Sequence, residues 1–223
     1  MMIKTLFLLP LCFATTFTYA QSKTRFPVWT FNTKNTHVYG LSAGYTTTRH
    51  TENVTSNGVR FELIGLGLLL PLIPDVPISQ DSAGHERFLQ EKPMERVNGI
   101  NLSPLGAGCL CVVSGLNIFG PGSVTRQVNG IAAGGIMNIT EIQNGLQLAV
   151  YSNYTYRLNG IQLAAIANTN YETMNGVQVA LMNDTNTLHG VQIGIYNKSK
   201  KGKGLQLGIW NDNGRRKRPL VNF

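Results

Sequence analysis

The sequence predicts an all-β chain: an antiparallel up-and-down meander of about ten strands, closed as a barrel. Three observations predict it. The first is an Asn-Gly-aliphatic signature that recurs every fourteen to sixteen residues, with glycines at 99, 115, 130, 145, 160, 176, 190 and 204 and with Ser114, His189 and Lys203 in place of Asn in three units. The second is period-two alternation inside each unit, which is a strand pattern. The third is composition: 24 glycines and only 13% charged residues among 223, about half the usual charged share of roughly 25%. A hydrophobic share of 43% supports a core and excludes wholesale disorder. The alternatives to a closed barrel are a β-solenoid or an open repeat sheet.

Residues 1–20 read as a secretory signal. Lys4 supplies the positive start, Leu6–Phe13 the apolar run and Ala20 the end of a cleavage site. The apolar run is too short to cross a bilayer as a helix. Leu11 precedes Cys12, where a lipoprotein signal would need a small residue. Cleavage after Ala20 leaves a single repeat domain, 21–223, that works outside the cytoplasm. Cys109 and Cys111 then remain. They are expected as two small apolar side chains on one strand face, because a disulfide between strand positions i and i+2 is strained.

Two irregular units precede the regular ones, Tyr39-Gly40-Leu41 and Asn57-Gly58-Val59. Phe61–Ile78 follows, a greasy run broken by Pro71 and Pro74. It reads as an apolar strand entering a proline turn, with a membrane-dipping or partner-binding hairpin as the functional alternative. Ser79–Glu95 holds many of the charges and reads as the longest loop, with a short helical turn at His85–Gln90.

The regular repeats run from 98 to 211. A unit reads Gly-aliphatic-Gln-aliphatic-small, then a bulky residue and Asn, as in Gly160–Asn168 and Gly204–Asn211. The aliphatic face needs an apolar neighbour. The other face, with Gln147, Gln162, Gln178, Gln192, Gln206, Tyr151, Tyr196 and Trp210, looks like a crowded interior with hydrogen-bonding needs. It is also the possible interaction face for a glycan or protein.

A parallel solenoid would stack those glutamines into a ladder. Two points argue for the meander instead. A return of about seven residues at roughly 3.3 Å each barely covers the strand. The return segments Asp184–Thr187 and Lys198–Lys203 also hold no apolar side chain to line a core. A meander puts such polar segments at exposed tips, and closure removes its two edges.

The ending Pro219–Phe223, apolar with a terminal aromatic, is similar to the closing strand of bacterial outer-membrane barrels. Against insertion, three aliphatic residues per strand give a band of only about 15 Å, short of the roughly 25 Å required. Basic residues gather in two turns: Lys198, Lys200, Lys201 and Lys203, then Arg215, Arg216, Lys217 and Arg218. These eight equal the formal charge of +8 and suit anionic envelope lipid or polysaccharide. The export signal sets nucleic acid aside as a partner.

Little in the sequence suggests catalysis. The four histidines after residue 20, His37, His50, His85 and His189, match no metal spacing and read as surface or turn residues. There is no nucleophile elbow, phosphate loop or paired-carboxylate frame. The expectation is a protein that is not an enzyme, with no cofactor and no metal site.

The aliphatic-Asn-Gly-aliphatic-Gln-aliphatic-Gly/Ala unit, with Glu62–Pro74 and Gly204–Phe223, resembles a family of bacterial surface repeat-containing proteins. The resemblance spans the chain from Phe26 onward. It implies a cell-envelope location and carries no activity, catalytic residue or cofactor. The units at Gly99 and Gly115 depart from it, with Asn101 and Asn117 in place of Gln and Pro104 inside the strand, which predicts an irregular strand there. The resulting expectation is an exported cell-envelope protein, outer-membrane or surface-associated, with a structural or interaction role. The alternative is a soluble periplasmic or secreted module that binds a glycan or protein.

Overall fold

A computed structural model of the chain describes residues 22–45, 52–72 and 77–223. The secretory-signal reading of residues 1–20 therefore lies outside the described residues, as does His50.

The strands are β1 (Lys23–Arg25), β2 (Val28–Thr30), β3 (Thr36–Gly44), β4 (Val54–Glu62), β5 (Glu95–Ser103), β6 (Ala107–Phe119) and β7 (Gly122–Gly134). They continue as β8 (Met137–Ala149), β9 (Ser152–Ala164), β10 (Ala167–Val179), β11 (Met182–Ile193), β12 (Tyr196–Gly202), β13 (Leu205–Asp212) and β14 (Lys217–Asn222). From β3 to β13 each strand pairs with the next in parallel, one repeat unit out of step in sequence and in register in space. Gly145 faces Gly160, Gly160 faces Gly176, and Gly176 faces Gly190. The chain is thus a parallel β-solenoid. The expected antiparallel meander closed as a barrel is wrong.

Each coil has two arms and two corners. The Asn-Gly pair is one corner. Gly160 sits there at φ 146°, a left-handed conformation open to glycine. A Cβ at Gly160 would also lie 1.9 Å from the Gly145 carbonyl oxygen of the coil before. The second corner is the short link between one strand and the next, such as Ala165-Ile166. We call the arm before the Asn-Gly corner wall A and the arm after it wall B.

The two walls face each other across a narrow interior, and that interior is largely polar. Gln162 Nε2 on wall B donates to Thr155 Oγ1 on wall A at 3.1 Å, and Gln206 Nε2 donates to Ser199 Oγ at 3.3 Å. The Gln row forms a ladder along the axis: Gln162 to Gln147, Gln178 to Gln162, Gln192 to Gln178 and Gln206 to Gln192, at 2.7–2.9 Å. On wall A an Asn row runs with the opposite polarity. Asn153 donates to Asn168, Asn168 to Asn183, Asn183 to Asn197 and Asn197 to Asn211, at 2.8–3.0 Å.

This polar lining is why the chain coils as a solenoid although two of its return segments hold no apolar side chain: hydroxyls and amides line the core in their place. Thr185 and Ser199, from the two segments said to be unable to line a core, are both buried. The corner also uses few residues, because the Asn-Gly pair makes the bend within the continuous strand.

Apolar packing is local. Leu158, Met174 and Leu188 stack beside the Asn-Gly corner of adjacent coils, and Val97, Cys109, Cys111, Val113, Phe119, Val128 and Ala132 cluster higher up. Cys109 and Cys111 are joined as a disulfide, against expectation. In a regular strand their Cα atoms would lie about 6.6 Å apart. A register shift between Cys109 and Val112 brings them to 5.1 Å.

Where Asn101 and Asn117 replace Gln, Asn101 donates to Asn117 at 2.7 Å, in the direction opposite to that of the Gln ladder, and buried Ala132 separates this pair from Gln147. Pro104 falls just after β5, in a corner, so it breaks no pairing. Of the greasy segment Phe61–Ile78, Phe61 lies in β4 and Leu66–Leu72 form a 3-10 helix rather than a strand, and the expected turn at Pro74 lies outside the described residues. The 3-10 helix packs so closely on a corner that a Cβ at Gly67 would lie 2.0 Å from the Gly122 carbonyl oxygen. The charged segment forms α1 (Ser82–Gln90), capped by Asp81, whose carboxylate accepts from the Gly84 amide at 2.6 Å. The terminal segment does not close a barrel. It turns back as β14, antiparallel to β13.

Candidate interaction surface

Wall B carries the most continuous surface feature. Outward positions one and three residues after each corner glycine form two rows that run in register through ten coils. One row runs from Leu41 through Ile100, Ile131 and Ile161 to Leu205; the other runs from Ala43 through Leu102, Ile118 and Leu163 to Leu207. All twenty residues are apolar, and none is buried. The residue between them, at the second position, points inward and is fully buried in every coil, from Ser42 and Arg60 to Gln206. Alternation therefore sorts the residues, with polar ones inside in every coil but that of Ala132 and apolar ones outside. This inverts the usual arrangement of an antiparallel sheet with one solvated face.

The apolar surface continues around the second corner. Ile136, Val150, Tyr151, Leu181, Met182, Ile195, Ile209 and Trp210 are exposed there, Val150 at 70%. Leu68, Leu69 and Leu72 of the 3-10 helix are exposed as well.

The interaction face expected from the sequence is divided by this geometry. Gln147, Gln162, Gln178, Gln192 and Gln206 are fully buried and bonded to each other. They offer nothing to a partner. Tyr151, Tyr196 and Trp210 lie at the outer corner, with Tyr151 and Trp210 about half exposed. The aliphatic rows, read from the sequence as a face in need of a neighbour, are the part left uncovered.

Wall A is different in character. Helix α1 lies against it. His85 Nδ1 meets Glu141 Oε1 at 2.6 Å, the Ser79 amide donates to Glu141 Oε2 at 2.9 Å, and the His85 ring stacks on Tyr156 at 4.1 Å. Arg126 stacks over Phe88 at 4.3 Å. His85 is thus a buried anchor rather than a surface residue, and its partner is Glu141. Burial also pushes the Tyr156 phenol up, with a Ser82 hydrogen bond opposing. His189 keeps the turn place expected of it, exposed at a corner.

The basic residues also depart from the expected pair of turns. Lys198, Lys200 and Lys201 lie within β12 on wall A; Lys203 and the Arg215-Arg216 turn follow, and Lys217 and Arg218 belong to β14. Wall A therefore carries these lysines, and wall B carries no charge along its two rows.

Sequence reasoning missed one buried cluster. Arg60 Nε donates to Glu95 Oε1 at 3.0 Å, and its Nη1 donates to Glu62 Oε2 at 3.0 Å and to Asn101 Oδ1 at 2.8 Å. The guanidinium also sits 3.8 Å from the centre of the Phe31 ring. Burial raises the Glu95 carboxyl above its ordinary range, with Arg60 pulling the other way. The available signal was alternation: Arg60 stands two residues after Gly58, the place that Gln takes in later units. The cluster replaces the amide ladder in the first coils and is sealed from solvent.

Comparison with protein-family models, with curated proteins and with solved structures returns no match to this chain. Among the described residues, no three His, Cys, Asp or Glu side chains converge as a metal site. No helix among them is long and apolar enough to cross a membrane.

Proposed function

We propose that this chain is an exported cell-envelope protein whose solenoid serves as a rigid scaffold for interaction, with wall B as the docking surface. The observation that carries the reading is the pair of uncharged apolar rows, ten residues each, six of the twenty exposed and the rest half-buried, on an otherwise self-satisfied sheet. Exposed apolar patches larger than a few hundred Å² mark interaction sites. The envelope location draws support from the signal-like residues 1–20 and from the family resemblance. The basic C-terminal end supports attraction to anionic lipid or polysaccharide of the envelope. The work assigned to the chain is binding rather than turnover. The sealed cluster around Arg60 is out of a substrate's reach, and His85 is spent on holding α1 to wall A.

Envelope fractionation tests this reading. The protein should pellet with membranes, resist osmotic shock, and be released by high salt or mild detergent. Recovery in the cytoplasmic fraction would overturn it. Release by osmotic shock alone would favour a soluble periplasmic module.

A further inference from the structure

We propose that wall B is covered by wall B of a second copy, in a two-fold dimer whose solenoid axes run antiparallel. The inference deepens the docking reading above and rests on it, but not on the envelope location.

Three features point to a second copy. The first is area. Ten strands at about 4.8 Å spacing and an arm of about 15 Å give a face of roughly 700 Å². That is close to the roughly 800 Å² per partner of a standard stable interface. The second is shape and chemistry. The face is a sheet surface of Leu, Ile, Val and Ala, with Phe61 near one end, and its repeat is in register, so it is complementary to itself. Two such faces can pack about 10 Å apart with side chains interdigitated, as in a β-sandwich. The third is charge. A lipid surface would call for cations along wall B, but its two rows carry none; Lys203 borders them at a single corner, and Lys198 and Lys200 lie on wall A, behind them.

Charge also chooses the orientation. Residues 198–218 hold eight cations against Asp212 alone, whereas residues 22–97 hold eight cations against seven carboxylates. A parallel dimer would bring sixteen cations to one end. The antiparallel dimer lays each basic end beside a balanced one. A two-fold axis along the strand direction achieves this, with Asn-Gly corner meeting Asn-Gly corner, and it closes the interface without propagating.

Sedimentation velocity with the purified protein should give twice the chain mass. Leu163→Lys combined with Ile131→Lys should yield a monomer with the parent's far-ultraviolet circular dichroism. Lys201→Ser, on the opposite wall, should leave the dimer intact. Should the double variant fail to fold, spin labels on the parent fold decide. Labels at Lys203 should sit about 45 Å apart across the dimer and labels at Asn144 under about 20 Å, from the strand spacing. Equal separations at both sites would overturn the antiparallel arrangement. A monomeric parent would overturn the second copy as occupant, and flotation of that monomer with vesicles of phosphatidylethanolamine and phosphatidylglycerol would assign wall B to lipid.

Discussion

Gln178 donates to Gln162 at 2.7 Å and accepts from Gln192 at 2.9 Å, with no exposed surface. An amide is suited to this place because it carries a donor and an acceptor at once, so each coil satisfies the next. Leucine has nearly the same volume and neither group. Gln178→Leu strips Gln162 Oε1 of its Gln178 donor, whereas Gln192 Nε2 keeps the Lys198 carbonyl at 3.2 Å. One buried unpaired polar atom costs about 1–3 kcal/mol. The variant should therefore lose about 2 kcal/mol, read as a lower urea midpoint. Asn175 makes an equally short bond to Asn159, at 2.8 Å, but is exposed. Asn175→Ala should move the midpoint by less than about 0.5 kcal/mol. Equal losses in the two variants would show that the interior ladder has no special energetic role.

At the scale of elements, the last strand does a job that the repeat cannot do for itself. A solenoid ends in an open edge and an unfinished core. β14 runs antiparallel to β13 and places Asn222 over the Gln ladder, its Nδ2 donating to Gln206 Oε1 at 3.2 Å. A chain ending at Asn213 should melt lower and form species larger than a dimer as its concentration rises, because the bare edge of β13 can recruit strands. Unchanged melting and unchanged mass in that truncation would remove the capping role. α1 is a second dedicated element. It is fixed to wall A through Glu141 and Tyr156, residues that no reading of the repeat singled out, because the contact bridges 56 residues of sequence.

At the scale of the whole molecule, the sequence made the strand content, the unit boundaries and the sorting of faces legible. Alternation placed Gln162 and Gln178 on one face and Ile161 and Leu163 on the other, and it named the Gln face as an interior. It misjudged strand direction. The segments around Thr185 and Ser199 looked too polar to line a core, and this was a judgement about hydrophobic cores, not about hydrogen-bonded ones. Small hydroxyls and amides can fill an interior when each repeats at the same height in the next coil, so that amide meets amide along the Gln and Asn rows and hydroxyls meet amides between the walls. The wall B rows were legible as residues but not as a surface, because alternation cannot say which face a second wall will cover. The Arg60 cluster and the His85–Glu141 anchor join distant units and leave little trace in any single repeat.

The central claim is parallel, in-register coiling, and it is tested most directly by distances along the axis. Pairs of spin labels sharing Lys203, with partners at His189, Asn159 and Ser114, span one, three and six coils. Samples diluted with unlabelled protein isolate the distances within one chain. Coiling predicts separations of about 5, 14 and 29 Å, a linear rise of about 4.8 Å per coil. Separations that level off near the diameter of a small barrel, or that alternate between near and far, would contradict the solenoid.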